Sequence, residues 1–217
     1  MAKKMIKDKN GVLEAYTQEL LKTNERPKSV YAFCENIKIS EKEFYAFFTN
    51  FDQLEESIFT YFFEATVSVL HKSEDYESYD AKTKLLSFYF TFFEQLSANR
   101  TLVLLLLDNG KPALQNLKKL SALRVSFKEY VDQLDIKPID LPKESLEKIQ
   151  QKSISEMAWL QLMATLKFWI DDTSAGFEKT DVFIEKSVQA GFDFLSLEPL
   201  KNIIDFGKFI WQEKVKC

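Results

Sequence analysis

Residues 29–54, SVYAFCENIKISEKEFYAFFTNFDQL, decide the fold of this chain. Val30 to Glu35 reads as one short helix, a break follows, and Ser40 begins another with Glu43 completing an S-x-x-E pattern. In such a capping box the hydroxyl takes an amide of the first turn while the acid reaches back to the cap's own amide. A second box follows at once: Asn50 caps and Gln53 stands at its third position, opening a long apolar-rich helix through Leu54, Ile58, Phe62 and Leu70. Upstream, Val12, Leu13, Tyr16, Leu20 and Leu21 recur at helical spacing before Pro27, which marks one amphipathic helix.

Downstream the pattern changes to longer helices, predicted at 80–98, 101–108, 112–134, 144–174, 178–196 and 199–214. Pro112, Pro142 and Pro199 stand where helices begin, since the fixed φ and missing N–H of proline suit a first helical turn. The clearest loop runs from Asp135 to Pro142, and no internal repeat is visible. The 217 residues suit one domain, or a small one joined to a larger one. With only five Gly and five Pro, about half the usual combined share, the chain lacks the turn residues that a β-rich fold needs. The fold class expected is all-α.

The same counts exclude several chemistries. The glycines lie apart at Gly11, Gly110, Gly176, Gly191 and Gly207, so no phosphate-cradling loop can form. His71 is the single histidine, and Cys34 and Cys217 are the only cysteines; no metal site or disulfide framework follows from that spacing. His71 suits the end of the fourth helix, where an imidazolium favours the dipole. Asp171 and Asp172 are neighbours; on a helix they diverge by about 100°, which reads as two helix-terminal surface charges. With no catalytic constellation, no enzyme, metal or cofactor is expected. The start MAKKMIKDKNG lacks an apolar signal core, and the longest aliphatic run, Leu102 to Leu107, is six residues against the ~20 that span a bilayer. A reducing, cytoplasmic setting is expected.

Residues 29–54 resemble the helix-turn-helix of the tetracycline-repressor (TetR) family of bacterial transcription regulators: Ile39 at the apolar turn position, Tyr45 in the second turn of the second helix, Phe48 three residues on, then Leu54 in a capped long helix. Val12, Leu13, Ala15, Leu20 and Leu21 match that family's first helix, and FWIDDTSAGFEKTDVFIEKSV, residues 168–188, is similar to the paired final helices of a TetR subgroup. The resemblance implies a TetR-like fold with a DNA-binding domain at residues 1–50 and a ligand-binding and dimerisation domain at residues 51–217. It implies a ligand-responsive regulator, a repressor, that binds a double-stranded DNA operator as a homodimer. Three departures stand out: Lys38 occupies the usual turn glycine, Phe51 a position that often holds a phosphate-binding lysine, and Glu41 and Glu43 outnumber Lys42 on the reading helix.

The residues expected to touch DNA are Lys3, Lys4, Lys28 and Lys42 through phosphate neutralisation, Ser29, Ser40 and Tyr45 by resemblance, and Glu43, whose carboxylate can accept from cytosine N4. A hydrophobic effector is expected among Phe59, Phe62, Phe63, Phe88, Phe92, Trp159, Met163 and Leu166, because ligand sites in helical bundles are lined by apolar and aromatic groups. Phe183, Ile184, Ser187, Val188, Gly191, Phe194 and Leu195 form an apolar or small helix face expected to carry the dimer. The alternative is a TetR-fold protein that has given up DNA for lipid or a membrane surface, similar in architecture to the lipid-binding accessory proteins of ubiquinone synthesis. Its support is the three departures together with the terminal helix, whose Leu200, Ile203, Ile204, Gly207, Ile210 and Trp211 share a face beside Lys201, Lys208, Lys214 and Lys216.

Overall fold

In the computed structural model the described residues are 8–107, 118–134, 136 and 144–195, and of 144–150 only the backbone is described. Among them every regular element is helical: α1 (Lys9–Thr23), α2 (Val30–Ile37), α3 (Glu41–Phe47), α4 (Phe51–Leu70), α5 (Ala81–Ala98), α6 (Arg100–Leu107), α7 (Ser121–Gln133), α8 (Glu144–Asp171) and α9 (Glu178–Leu195), with short 3-10 turns at Tyr76–Ser78 and Ala175–Phe177. The chain divides into two compact units, Met1–Val69 with Thr91–Phe127 and Leu70–Phe90 with Lys128–Cys217.

In the first unit the helix ends follow the capping chemistry of the sequence. Asp8 accepts from the Gly11 amide at 2.7 Å to start α1, and Asn24, at φ 54°, stops it by donating its N–H to Leu20 O. Ser29 accepts from Ala32 N to start α2. Ser40 and Glu43 form the full reciprocal box at α3. The second box differs by one residue: Asn50 Oδ1 takes the Gln53 amide at 2.9 Å, whereas Gln53 Oε1 reaches past Asn50 to the amide of Thr49 at 2.7 Å.

These caps bring α1, α2, α3 and the start of α4 around an aromatic core. Phe33 meets Tyr16, Phe44 and Phe51 edge-on, with centroids 5.8, 6.1 and 5.7 Å away, and Phe51 also lies against Tyr16 and Phe44. Pairs in this geometry add about 0.5–1.5 kcal/mol beyond their buried area. Cys34 is buried on the same face of α2, and its thiol is pushed up by desolvation and by the nearby acids Glu41, Glu43 and Glu35.

In the second unit, Tyr130 donates to Lys84 O at 3.0 Å, so the 2.7 Å contact between hydroxyls leaves Tyr76 as donor to Tyr130. Helices α8 and α9 lie side by side: Phe168 stacks on Phe183 at 4.5 Å, and Gln161 Nε2 donates to Ser187 Oγ.

Three expectations from the sequence need correction. Helix α8 ends at Asp171, not at residue 174, because Asp172 leaves the helical path and turns inward. Its carboxylate accepts from the amide and hydroxyl of both Ser174 and Thr180, so it is a buried hub and not a surface charge. Desolvation would raise its pKa, but those hydrogen bonds overcome that and hold the carboxyl well below the usual range. Third, the helix expected over 112–134 does not continue through Lys119 and Leu120, which form a turn ahead of Ser121; residues 108–117 lie outside the described residues. The helix expected at 199–214 lies outside them as well.

Candidate nucleic-acid interface

The α2–turn–α3 element turns most of its large apolar side chains inward, with Val30, Ile39 and Phe47 half-buried. Phe33, Cys34, Ile37, Phe44 and Phe48 are buried, while Tyr31 and Tyr45 are 62% and 52% exposed. Tyr45 was marked in the sequence; Tyr31 was missed, although the buried stripe Phe33–Cys34–Ile37 puts it on the outer face of α2. Lys28, Lys38 and Lys42 are exposed around this surface, together with Glu35, Glu41 and Glu43. Two tyrosines and three lysines on a pair of short helices form a surface able to meet a phosphate backbone through hydroxyls and cations. Lys3 and Lys4 lie outside the described residues.

Lys38 takes the left-handed conformation that the turn demands, with φ 61° and ψ 47°. Its N–H and that of Ile39 both turn back to Cys34 O. A lysine thus holds the left-handed conformation that glycine adopts freely, at a conformational cost of about 1–2 kcal/mol for an L residue.

Other site residues have employment inside the protein. Ser40 N and Oγ both donate to Glu43 Oε2 at 2.7 Å, and Glu43 N donates back to Ser40 Oγ. These bonds hold the Glu43 carboxyl below its ordinary range. The box thus engages Ser40 Oγ and one of the two Glu43 carboxylate oxygens, and Ser29 Oγ is similarly engaged as the α2 cap. Phe51, packed between Tyr16, Phe33 and Phe44, is part of the core and offers nothing to a phosphate.

Beneath the reader lies a polar cluster that sequence reading missed. Glu55 of α4 is 1% exposed; its Oε1 accepts from Tyr16 Oη at 2.5 Å and lies 3.3 Å from Arg26 Nε, and its Oε2 is 2.8 Å from Lys119 Nζ. Arg26 pairs with Asp52 at 2.6 Å and covers the Phe51 ring, while Lys119 donates to Leu106 O at the end of α6. The Lys119–Glu55 and Arg26–Glu55 approaches are ion pairs by distance but not aligned hydrogen bonds. One carboxylate therefore joins α1, the approach to α2, α4 and the end of α6. Burial, then the Glu55 charge, push the Tyr16 phenol far above its usual range, which keeps it a neutral donor. The signal in the sequence was Phe51, Glu55 and Phe59 at four-residue spacing, an acid set in an apolar stripe.

The expected effector residues fall in both units. Phe59, Phe62, Phe63 and Phe92 are buried in the first; in the second Phe88, Trp159 and Leu166 are buried and Met163 is half-buried. Of the expected dimer face, Ile184 and Val188 are fully buried within the protomer, because α9 turns them toward α8. That corrects their assignment: a partner could meet only Phe183, Ser187, Gly191, Phe194 and Leu195, with Val182 added, since Val182 and Phe194 are the exposed large apolar groups of α9. A surface groove of about 620 Å³ runs past Phe168, Val182 and Phe183 with Lys179 and Lys186 among its walls. His71 meets Glu77 at 2.9 Å. Among the described residues no His, Cys, Asp and Glu cluster could hold a metal, and no helix is long and apolar enough to cross a membrane.

An all-α chain in which two capped short helices carry an outward tyrosine each, ahead of a long helix, has the form of a helix-turn-helix regulator. The family model described as Tetracyclin repressor-like, C-terminal domain, matches residues 84–210. The chain belongs to the TetR-like family of transcription regulators. No curated protein matches it.

Proposed function

We propose that this protein is a ligand-responsive, DNA-binding repressor of the cytoplasm that acts as a homodimer and senses a hydrophobic small molecule. The observation that carries the reading is the α2–turn–α3 surface, where Tyr31, Tyr45, Lys28 and Lys42 face outward over a fully packed aromatic core. Residues 1–50 act as the reader and 51–217 as the sensor and dimer body. Two-fold symmetry through α9 presents two α3 helices to a pseudo-palindromic operator, and Phe194 with Val182 supplies the apolar contact. The effector binds among apolar and aromatic side chains and releases DNA by preferring the non-binding arrangement. The experiment is selection of fragments from genomic DNA by the full chain at low and at physiological salt. Enrichment of a palindromic site supports the reading, and the absence of any enriched site at both salts refutes it.

The lipid-binding alternative is favoured by one observation, that Phe51 is a core residue and the reader surface carries acids beside its lysines. Flotation with anionic vesicles tests it: full-length protein and a chain ending at Leu197 both remaining unbound would remove it.

A further inference from the structure

The first unit contains a groove of about 340 Å³ whose lining includes no residue of α2, α3 or α9, large enough for a small organic ligand. One wall is a single face of α1, formed by Asn10, Leu13, Glu14 and Thr17 at helical spacing; the other is Ile58, Tyr61 and Phe62 of α4. Asn99 and Leu102, at the corner between α5 and α6, complete it. Leu13, Ile58, Phe62 and Leu102 are themselves buried and make an apolar lining. Asn10 and Thr17 bring an amide and a hydroxyl that can donate or accept, and no side chain of the lining is cationic. Glu14 is the single charged side chain of the lining, is exposed, and has no ion pair among the described residues. Asn99 Nδ2 is committed to Gln95 O at 2.9 Å, which leaves its carbonyl oxygen as acceptor. Tyr61, half exposed and edge-on to Phe62 at 6.4 Å, presents a ring face to which a cation is attracted. The lysine of the first turn of α1, Lys9, lies over the Phe48 ring.

A carboxylate, an amide oxygen and a tyrosine face beside an apolar lining select a cation with an apolar tail. We propose that this groove binds an arylalkyl ammonium ion, its charge at Glu14 and Tyr61 and its ring against Leu13 and Phe62. Of the residues expected to hold the hydrophobic effector, Phe62 alone lines this groove, and the groove's occupant ties α1 to α4 and the α5–α6 corner.

The test is calorimetric titration of the full chain with phenylbutylammonium, with phenylbutanol as the uncharged isostere. Saturable binding at one site per chain is expected, weakened about fivefold by Glu14→Gln and about two- to fivefold by Tyr61→Ala, with phenylbutanol weaker than the ammonium by about the Glu14→Gln factor. Glu185→Gln, on exposed α9, leaves it unchanged. Circular dichroism melting confirms that the two groove variants, both at exposed positions, remain folded. Lack of saturation at millimolar probe, or saturable binding that ignores both groove substitutions, overturns the proposal. Because the readout involves no DNA, failure here leaves the regulator reading standing, and failure of operator selection leaves this one standing.

Discussion

Replacing Lys119 by Met removes one ammonium from the interior while keeping most of its volume. In the parent, Lys119 is 4% exposed and Glu55 1%; the ammonium donates to Leu106 O at 2.6 Å and forms an ion pair with Glu55 Oε2 at 2.8 Å. After the change the carboxylate retains Tyr16 Oη and the more distant Arg26 Nε at 3.3 Å. Breaking a buried ion pair by removing one partner costs about 3–5 kcal/mol, and Arg26, still near, places the loss at the lower end, about 3 kcal/mol. For a chain of this size that corresponds to a melting temperature lower by roughly 6–12 °C. Removing both charges together, Glu55→Leu with Lys119→Met, costs less than the sum of the single changes, since no uncompensated carboxylate remains; a coupling of about 2 kcal/mol or more is expected. Denaturant unfolding of the four proteins measures all of these. A Lys119→Met protein within about 0.5 kcal/mol of the parent would refute the reasoning that this ion pair holds α4 to the end of α6.

Lys38→Gly relieves a left-handed residue and should raise stability by about 0.5–1 kcal/mol in denaturant titration, with no gain if the turn has another conformation. Asp172 has a folded pKa below its ordinary 3.8, so its contribution is present above pH 3.8 and is lost as pH falls through the depressed folded value. Asp172→Asn should therefore be less stable at neutral pH and show a shallower loss of stability below about pH 3.8, read by melting temperature against pH; parallel curves for the two proteins would count against the hub. Phe194→Glu, on the exposed face of α9, should shift the mass seen by light scattering from dimer to monomer with the helical signal unchanged, and a mass that does not move excludes Phe194 from the interface.

Much of the fold was legible because local chemistry and packing agree. The Ser40–Glu43 box and the Asn50 cap can each be read within one turn of helix and the stripe Val12–Leu13–Tyr16–Leu20 within one helix, and each is found in place. What sequence spacing could not reveal depends on partners far along the chain. Glu55 is buried because Lys119 and Arg26 reach it from other segments, and Asp172 turns inward because Thr180 waits eight residues on. Ile184 and Val188 carry the same apolar signature whether a helix faces its own protomer or a partner, and only the position of α8 decides between them. The site was half legible: Tyr45 stood out by its place in a pattern, but the hydroxyl of Ser40 and the carboxylate of Glu43 read equally well as DNA contacts or as a helix cap, and the cap holds them.

Sequence reading by α2 and α3 is measured by the affinities for the best selected duplex and for a scrambled duplex of equal length, at physiological salt, with the parent and with a Tyr31→Ala, Tyr45→Ala double variant. The parent should prefer the selected duplex by about a thousandfold or more, and the variant, its melting behaviour retained, should bind both duplexes more weakly, since phosphate contacts position the protein without carrying sequence information. A parent ratio within about tenfold of unity, or a variant that binds both duplexes as tightly as the parent, contradicts this reading.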